Sequence, residues 1–229
     1  MTHPDTRLAK PRTANDLPRH AKIRQMNRGG YDRDLAYGIL DAGLVAHVGF
    51  IQDNRPMVIP MAYARIGDRV YIHGASTTRI IKANGAGVPA SLTVTLVDGI
   101  VVARSAFHHS MNYRCVVLHG MAHLVDDPAE QTDALAAITD HLLPGRWSEC
   151  RDMTPKELKA TGVLVMDIDH ASTKVRTGGP VDDKDDLGSD IWAGVVPVVT
   201  ALGQPFSASD VPDRSPVPPS VPAARKKFI

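Results

Sequence analysis

The sequence predicts a mainly β protein with a few short helices, an antiparallel barrel or sandwich. Three observations carry that expectation. Short apolar runs recur along the chain, separated by tight-turn signals rather than by long helices. Several runs are followed directly by another run of strand character, which suits antiparallel pairing. No Gly-rich fingerprint follows a strand, so a dinucleotide-binding α/β fold is not expected.

The elements follow in order. Residues 1–30 read as a polar, basic arm, with Arg7, Lys10, Arg12, Arg19, Lys22, Arg24 and Arg28 among prolines and polar residues. The domain proper is expected over 31–202. Tyr31–Ala42 has helical spacing in Leu35, Ile39 and Leu40, with Gly43 past its end. Leu44–Ile51 reads as a strand, Asp53-Asn54-Arg55 as a turn and Met57–Ile66 as a second strand. Pro60 inside that run points to an edge or a bulge, where backbone groups stay free. Gly67-Asp68 turns the chain into a strand over Val70–His73. Residues 90–106 read as a hairpin about Asp98-Gly99, a dipeptide suited to positive φ at both central positions. Further strands are expected from about Tyr113 to Val125, at 163–168 and at 172–176. Asp127-Pro128-Ala129-Glu130 and Thr154-Pro155-Lys156-Glu157 read as capping boxes, the second helix ending at Gly162. From Gly203 to Ile229 the chain is rich in Pro and Ser and is expected to lack packed structure.

Composition narrows the function classes. Lys plus Arg is 26 and Asp plus Glu is 25, a net charge of +1, which gives no global field for nucleic acid or an anionic membrane. No apolar run approaches the roughly 20 residues of a membrane span. Met1 to Arg28 shows no hydrophobic signal region. The two cysteines, Cys115 and Cys150, form no CxxC pair. Together these predict a cytoplasmic protein.

Three segments hold candidate chemistry. In Val70–Lys82 a strand ends at His73-Gly74-Ala75, and Ser76 could cap a helix over Thr77–Ala83 that carries Arg79 and Lys82. Converging N–H groups and a cation make a phosphate cradle, or simply a capped helix with solvated basic residues. In Ser105–Val125, alternation puts Arg114, Val116, Leu118, Gly120, Ala122 and Leu124 on one face. Arg114 at the rim of an apolar face calls for an anionic partner, either a bound phosphate or an internal carboxylate. Ser110 and Asn112 add hydrogen-bonding groups beside it. In Ala171–Gly178, Lys174 and Arg176 share a strand face with Trp192 downstream. They could close over a planar anion, or mark a basic edge that resists aggregation. A metal site is not expected, because His119 and His123, four apart on a strand, lie roughly 13 Å apart. Cys115 has no base placed beside it, so a catalytic thiol is not expected either.

The stretches PMVIPMAYA, RVYIHGAS, LTVTLVDGIVVARSAFHHSMNYRCVVLHGMAHLVDD, TGVLVMDIDHASTKVRTG and WAGVVP resemble, in this order, the pyridoxamine-phosphate-oxidase-like FMN-binding proteins. The likeness is to the branch of flavin-nucleotide-binding and nitroimidazole-resistance proteins, and it covers roughly residues 31–200. It implies a six-stranded antiparallel split β-barrel, working as a homodimer with FMN at the subunit interface. By the resemblance, the backbone of Val58, Ile59, Pro60 and Met61 lies along the flavin ring. His73, Gly74, Ala75, Ser76 and Arg79 meet the ring edge or phosphate. Ser110, Asn112, Tyr113 and Arg114 hold the ribityl phosphate end, and Lys174, Arg176 and Trp192 complete the site. His73 also matches a functionally important His of the nitroimidazole-resistance proteins, which makes it the catalytic candidate.

The chain lacks the Arg-x-x-x-Leu-Lys flavin motif of the true oxidases, reading RIIK from Arg79, and it lacks their Arg-rich C-terminal stretch. Vitamin B6 oxidation is therefore not implied. The expected activity is an FMN-dependent oxidoreduction of a small molecule. The alternatives are a flavin carrier without turnover, or haem binding with His108, His109, His119 or His123 as axial ligand.

Overall fold

The computed structural model describes residues 17–82, 87–212 and 214–227. Its elements, in chain order, are β1 (Gly29–Gly30), α1 (Arg33–Ala42), β2 (Ala46–Gln52), β3 (Arg55–Met61), β4 (Tyr63–Ile66), β5 (Arg69–Ala75), α2 (Arg79–Lys82), β6 (Val88–Val102), β7 (Ser110–Leu124), α3 (Pro128–Leu142), α4 (Pro155–Ala160), β8 (Thr161–Asp167), β9 (His170–Arg176), β10 (Gly194–Pro197) and α5 (Ser220–Lys227). The protein is mainly β, as expected, and every strand pairing is antiparallel.

One sheet runs in the order β3-β2-β6-β7-β8-β5-β4. Its two ends are consecutive in the chain, because β3 passes into β4 through Ala62 alone. The sheet therefore curls until its margins meet. Inward side chains of β2, β5, β6, β7 and β8 pack into one core: Val48, Phe50, Val70, Ile72, Leu92, Val94, Val116, Leu118, Leu164 and Met166 are all buried. The alternation expected for β7 holds, with Val116, Leu118 and Ala122 inside. Each long strand serves two neighbours in turn. β7 pairs β9 over Tyr113–His119 and β8 over Ala122–Leu124, while β6 pairs β2 near its start and β10 near its end. That change of partner splits the barrel.

The described residues form ten strands where six were expected, and the reasons are local. Met57–Ile66 is two strands: β3 pairs β2, then the chain bends at Ala62 and β4 pairs β5. The glycines of β1 and the short β10 add strands at the margins. Pro60 does sit on an edge strand, since β3 pairs only with β2.

The hairpin expected at Asp98-Gly99 is absent. β6 runs on through both residues, and the register against β7 slips by one there, a bulge at Asp98. Neither residue has positive φ; the tight turn with two left-handed residues is Asp53-Asn54, at φ 49° and 56°, between β2 and β3. The Asp-Gly signal was real as a break in regularity, but thirteen residue pairs with β7 absorbed it as a bulge.

The helices follow their caps. Asp32 accepts from Leu35 N–H and starts α1. Thr154 and Glu157 form the full reciprocal capping box on α4, and the Arg151 guanidinium, with the Thr154 N–H and hydroxyl, pushes the Glu157 carboxyl down to about 2. At α3 Asp127 caps Ala129 and Glu130, but the Glu130 carboxylate accepts from Arg69 and Tyr71. Gly162 does not end α4; it lies in β8 opposite Gly74, where a Cβ would meet the Ile81 side chain at 2.5 Å.

Both ends of the described chain are tied down. Ala21 is buried and Gly29–Gly30 pairs with β9, so residues 17–30 lie against the barrel. The segment expected to lack packed structure ends in α5. Ser220 donates from its N–H and hydroxyl to Glu149, and Ala224 is fully buried. Composition hid this helix because its partners come from 71 residues away. Among the described residues no helix is long and apolar enough to cross a membrane.

Candidate functional site

Tyr63 of β4 pairs with Ile72 of β5, and β3 ends at Met61, two residues before Tyr63. The expected residues Val58–Met61 thus lead along the chain into the strand that pairs with β5, while β3 itself pairs with β2. Met57, Ile59 and Met61 lean on the core, while Val58 and Pro60 face outward, Val58 at 65% exposure.

After β5 the chain makes a tight turn. Ser76 N–H donates to Ala160 O, Thr78 N–H to Ala75 O, and Lys82 N–H to Thr78 O. Thr78, not Ser76, therefore precedes the first turn of α2, which spans Arg79–Lys82; Ala83, the last residue of the expected helix, lies outside the described residues.

Two buried polar atoms on this turn lack a partner, His73 Nδ1 and Thr78 Oγ1. They flank Gly74, whose missing Cβ would stand 3.2 Å from Thr78 Oγ1. Burial lowers the His73 pKa, so the ring stays neutral near neutral pH. Arg79 is exposed beside them and has no ion-pair partner among the described residues. Gln52 Oε1 and Arg104 Nε are buried without a partner as well, so it is the nearness of His73 and Thr78 to each other and to Arg79 that sets this turn apart. Sequence reasoning missed Thr78; a hydroxyl immediately before the cationic Arg79 was the available signal.

The second group gathers on β7, β9 and the loop after β9, and is largely occupied internally. Arg114 donates to both carboxylate oxygens of Asp98 at 2.9 and 2.7 Å. The internal carboxylate is thus the reading observed, and the bulge is what turns Asp98 toward the guanidinium; the same bond raises the Arg114 pKa. Arg176, 8% exposed, donates to Asn112 Oδ1, Gly178 O and Gly179 O. Tyr113 pairs with Arg176 and Cys115 with Lys174. Ser110 begins β7 opposite Val101. Trp192 lies on the surface at 64% exposure, with its ring over Gly194.

A third feature was not anticipated as a site. An open groove of about 790 Å³ lies between the β2–β3 hairpin and the β6–β7 pair. Phe50, Met57, Val58, Pro89, Ala90 and Met121 give it apolar walls, and His20, His119 and His170 stand along it. The His20 ring is edge-on to His119 at 4.9 Å and to His170 at 6.2 Å. Burial, then His20 and His170, lower the His119 pKa. Among the described residues no cluster of three or more His, Cys, Asp or Glu is arranged to hold a metal ion. The other expected histidines lie elsewhere: His108 meets Asp183, His109 meets Ser105 O, and the exposed His123 ring packs against Gly87.

Known proteins share the fold. No curated protein matches the chain. Among solved structures, the flavocytochrome Anf3 from Azotobacter vinelandii is 38% identical with a TM-score of 0.84, over 90% of this chain and 96% of that one. The FAD and haem binding protein from Mycobacterium smegmatis is also 38% identical, with a TM-score of 0.82 over 86% and 97%. A structure from Bacteroides thetaiotaomicron named for 5-nitroimidazole antibiotic resistance shares the fold at 19% identity and a TM-score of 0.53, over 64% and 86%. The model of the pyridoxamine 5'-phosphate oxidase family matches residues 32–175, which span α1 to β9 and so the whole barrel, and the chain belongs to that family.

Proposed function

We propose that the protein is a flavin- and haem-binding oxidoreductase acting as a homodimer on a small molecule. The observation that carries the flavin half is the pair of unpartnered buried atoms, His73 Nδ1 and Thr78 Oγ1, beside an unpaired Arg79. A hydroxyl and a guanidinium suit a phosphate oxygen, and a neutral imidazole suits a polar edge of the flavin ring. By the family resemblance, the backbone of the edge strand β3 would complete the site. Both relatives at 38% identity bear names that join a flavin to haem, and one specifies FAD. The flavin proposed is therefore FAD or FMN, with FAD favoured by that name.

Haem, an alternative to flavin in the sequence reading, becomes its companion here. The groove fits a planar apolar macrocycle in size and lining. His119 would ligate the haem iron, because of the four histidines considered from sequence it alone lines the groove. His20 and His170 stand next to it as further ligands or hydrogen-bond donors.

When bound, the flavin supplies two-electron chemistry and the haem one-electron chemistry. The chain's own part would be to hold the two groups on one barrel, the flavin by the His73–Arg79 turn after β5 and the haem by His119 of β7. His73, kept neutral by burial, would donate or accept one hydrogen bond at the flavin without carrying charge. Both cysteines are free, which suits a reducing, cytoplasmic setting.

The test is chemical identification of what the purified protein carries. Denaturation followed by chromatography is expected to release both a flavin and haem b. Flavin without haem, even after addition of haemin, would remove the haem half; neither cofactor after reconstitution would remove the function altogether. If both bind but no reductant or acceptor is turned over, the protein is a carrier.

A further inference from the structure

Several surface arginines are held by a carboxylate: Arg33 by Asp68, Arg65 by Asp41, Arg69 by Asp167 and Arg151 by Glu157. Residues 17–31 break that pattern. They contain Arg19, Lys22, Arg24 and Arg28 and no Asp or Glu. All four cations are exposed, and the guanidinium groups of Arg19, Arg24 and Arg28 form no ion pair among the described residues. The chain as a whole is +1, so without these four cations the remainder stands at −3. The positive field is thus local to this strip.

The strip is held at both ends and borders the groove. At one end Ala21 is buried, and the His20 ring, which lines the groove, is edge-on to His119 and His170. At the other end Gly29 pairs with Lys174, and Val175 N–H donates to Arg28 O. The cations between are laid along β9 from His170 to Lys174, a span of four residues or about 13 Å. On the facing hairpin the exposed Arg55 opens β3 beside the groove residue Pro56, and of the acids only Asp169 lines the groove. Met26 stands among the cations at 55% exposure. Arg and Met are enriched where proteins meet, and three of the four cations here are Arg.

We propose that residues 19–28 are the docking surface for a small acidic electron-carrier protein, which delivers single electrons at the groove. The occupant is chosen by charge and by place. Arginines without a carboxylate, fixed on a folded strip, are complementary to an anionic partner. Nucleic acid fits less well, because residues 17–30 hold no Phe, Tyr or Trp to stack on bases. A membrane fits less well, because the strip has one short turn at Arg19–Ala21 and no amphipathic helix to lie in a lipid interface. Electron carriers, by contrast, dock through small, transient contacts steered by charge, and this strip lies where such a contact would reach the groove. The inference rests on the haem reading above. One electron leaves the reduced partner and enters ferric haem in the groove, with no bond made or broken and no proton moved.

The probe is an acidic plant-type [2Fe–2S] ferredoxin, with the basic protein cytochrome c as control. Calorimetric titration of oxidised ferredoxin into the reconstituted full-length protein is expected to show binding at about 20 mM salt that weakens about tenfold or more by about 200 mM, and no binding of cytochrome c. The double variant Arg24→Glu, Arg28→Glu should weaken ferredoxin binding by about the same factor with an unchanged Soret band, since both side chains are exposed. Arg24→Glu alone should weaken it in the same direction, which keeps the test decisive if the double variant fails to fold. Mixed without oxygen, reduced ferredoxin should shift the Soret band to its reduced position at a rate that falls with salt and in both variants. No ferredoxin binding, binding indifferent to salt and to both variants, or binding of double-stranded DNA or anionic vesicles in its place would overturn the docking surface and leave the haem reading intact. Salt- and charge-dependent ferredoxin binding to a protein that takes up no haem would uphold the surface and overturn the haem reading.

Discussion

Replacing Thr78 by Val separates a cofactor contact from a structural one, because the two predict opposite signs. Valine keeps the β-branched shape and removes one hydroxyl. In the cofactor-free protein that hydroxyl is buried and unpartnered, beside the bare Cα of Gly74. A buried polar group without a bond costs about 1–3 kcal/mol relative to a satisfied one, and an apolar group of the same shape is neutral to stabilising. The cofactor-free Thr78→Val protein should therefore melt at the wild-type temperature or above, by about 2–4 °C for each kcal/mol regained. Binding should move the other way. Loss of a hydrogen bond to a charged phosphate removes about 1.5–3 kcal/mol, so the dissociation constant for FAD or FMN should rise roughly ten- to a hundredfold. Differential scanning fluorimetry on cofactor-free protein reads the first effect, and titration of flavin fluorescence reads the second. A clear fall in melting temperature would mean that the hydroxyl bonds within the chain. Unchanged flavin affinity would mean that it does not face the ligand.

Arg114→Ala should leave flavin binding unchanged and lower stability by under about 1 kcal/mol, since the Arg114–Asp98 pair is partly exposed and screened; a large loss of flavin in titration would restore Arg114 to the site. Tyr63→Phe should destabilise the fold by about 1–3 kcal/mol, measured by urea unfolding, because the fully buried Tyr63 hydroxyl donates to Leu40 O and Gly43 O. The cofactor-free protein should lose stability on mild acidification. Burial is the leading cause that lowers the pKa values of His73, His119 and His141, so between those values and the ordinary 6.5 or so the unfolded chain binds more protons. The contribution is fully present above about pH 6.5, falls as pH drops through that value and levels off below the folded pKa values. A melting temperature that rises from about pH 7 to about pH 5 would contradict this.

The fold was legible where local signals and long-range pairing agree. The alternation along β7, the Thr154 capping box and the edge position of Pro60 all read directly from residue order. The misreadings arose where a local signal met a stronger distant partner. Asp98-Gly99 signals a turn, but pairing with β7 carries the strand through it. Gly162 signals a helix end, yet sits in β8 because only a glycine leaves room for Ile81. α5 was invisible because Glu149 and His141, not its own sequence, hold it in place.

The site divides in the same way. The His73–Arg79 segment was readable because strand, turn and cation are contiguous in sequence. Thr78 was not, since an unpartnered hydroxyl is a property of packing. For Arg114, sequence showed that an anion was needed but left phosphate and carboxylate open, and Asp98 decided it. The groove was least visible of all, since His20, His119 and His170 are brought together only by the pairing of β7 with β9 and by the path of residues 17–30 across them.

The central claim is that one chain holds flavin at the His73–Arg79 turn and haem at the His119 groove. The most direct measurement is the absorption spectrum of the reconstituted protein beside the Thr78→Val, Arg79→Ala double variant and the His119→Ala variant. Flavin bands and a Soret band should both appear in the wild type, the double variant losing chiefly the flavin and His119→Ala chiefly the Soret band. Loss of both chromophores together in a folded variant, or a Soret band unmoved by His119→Ala, would contradict the assignment of two separate sites.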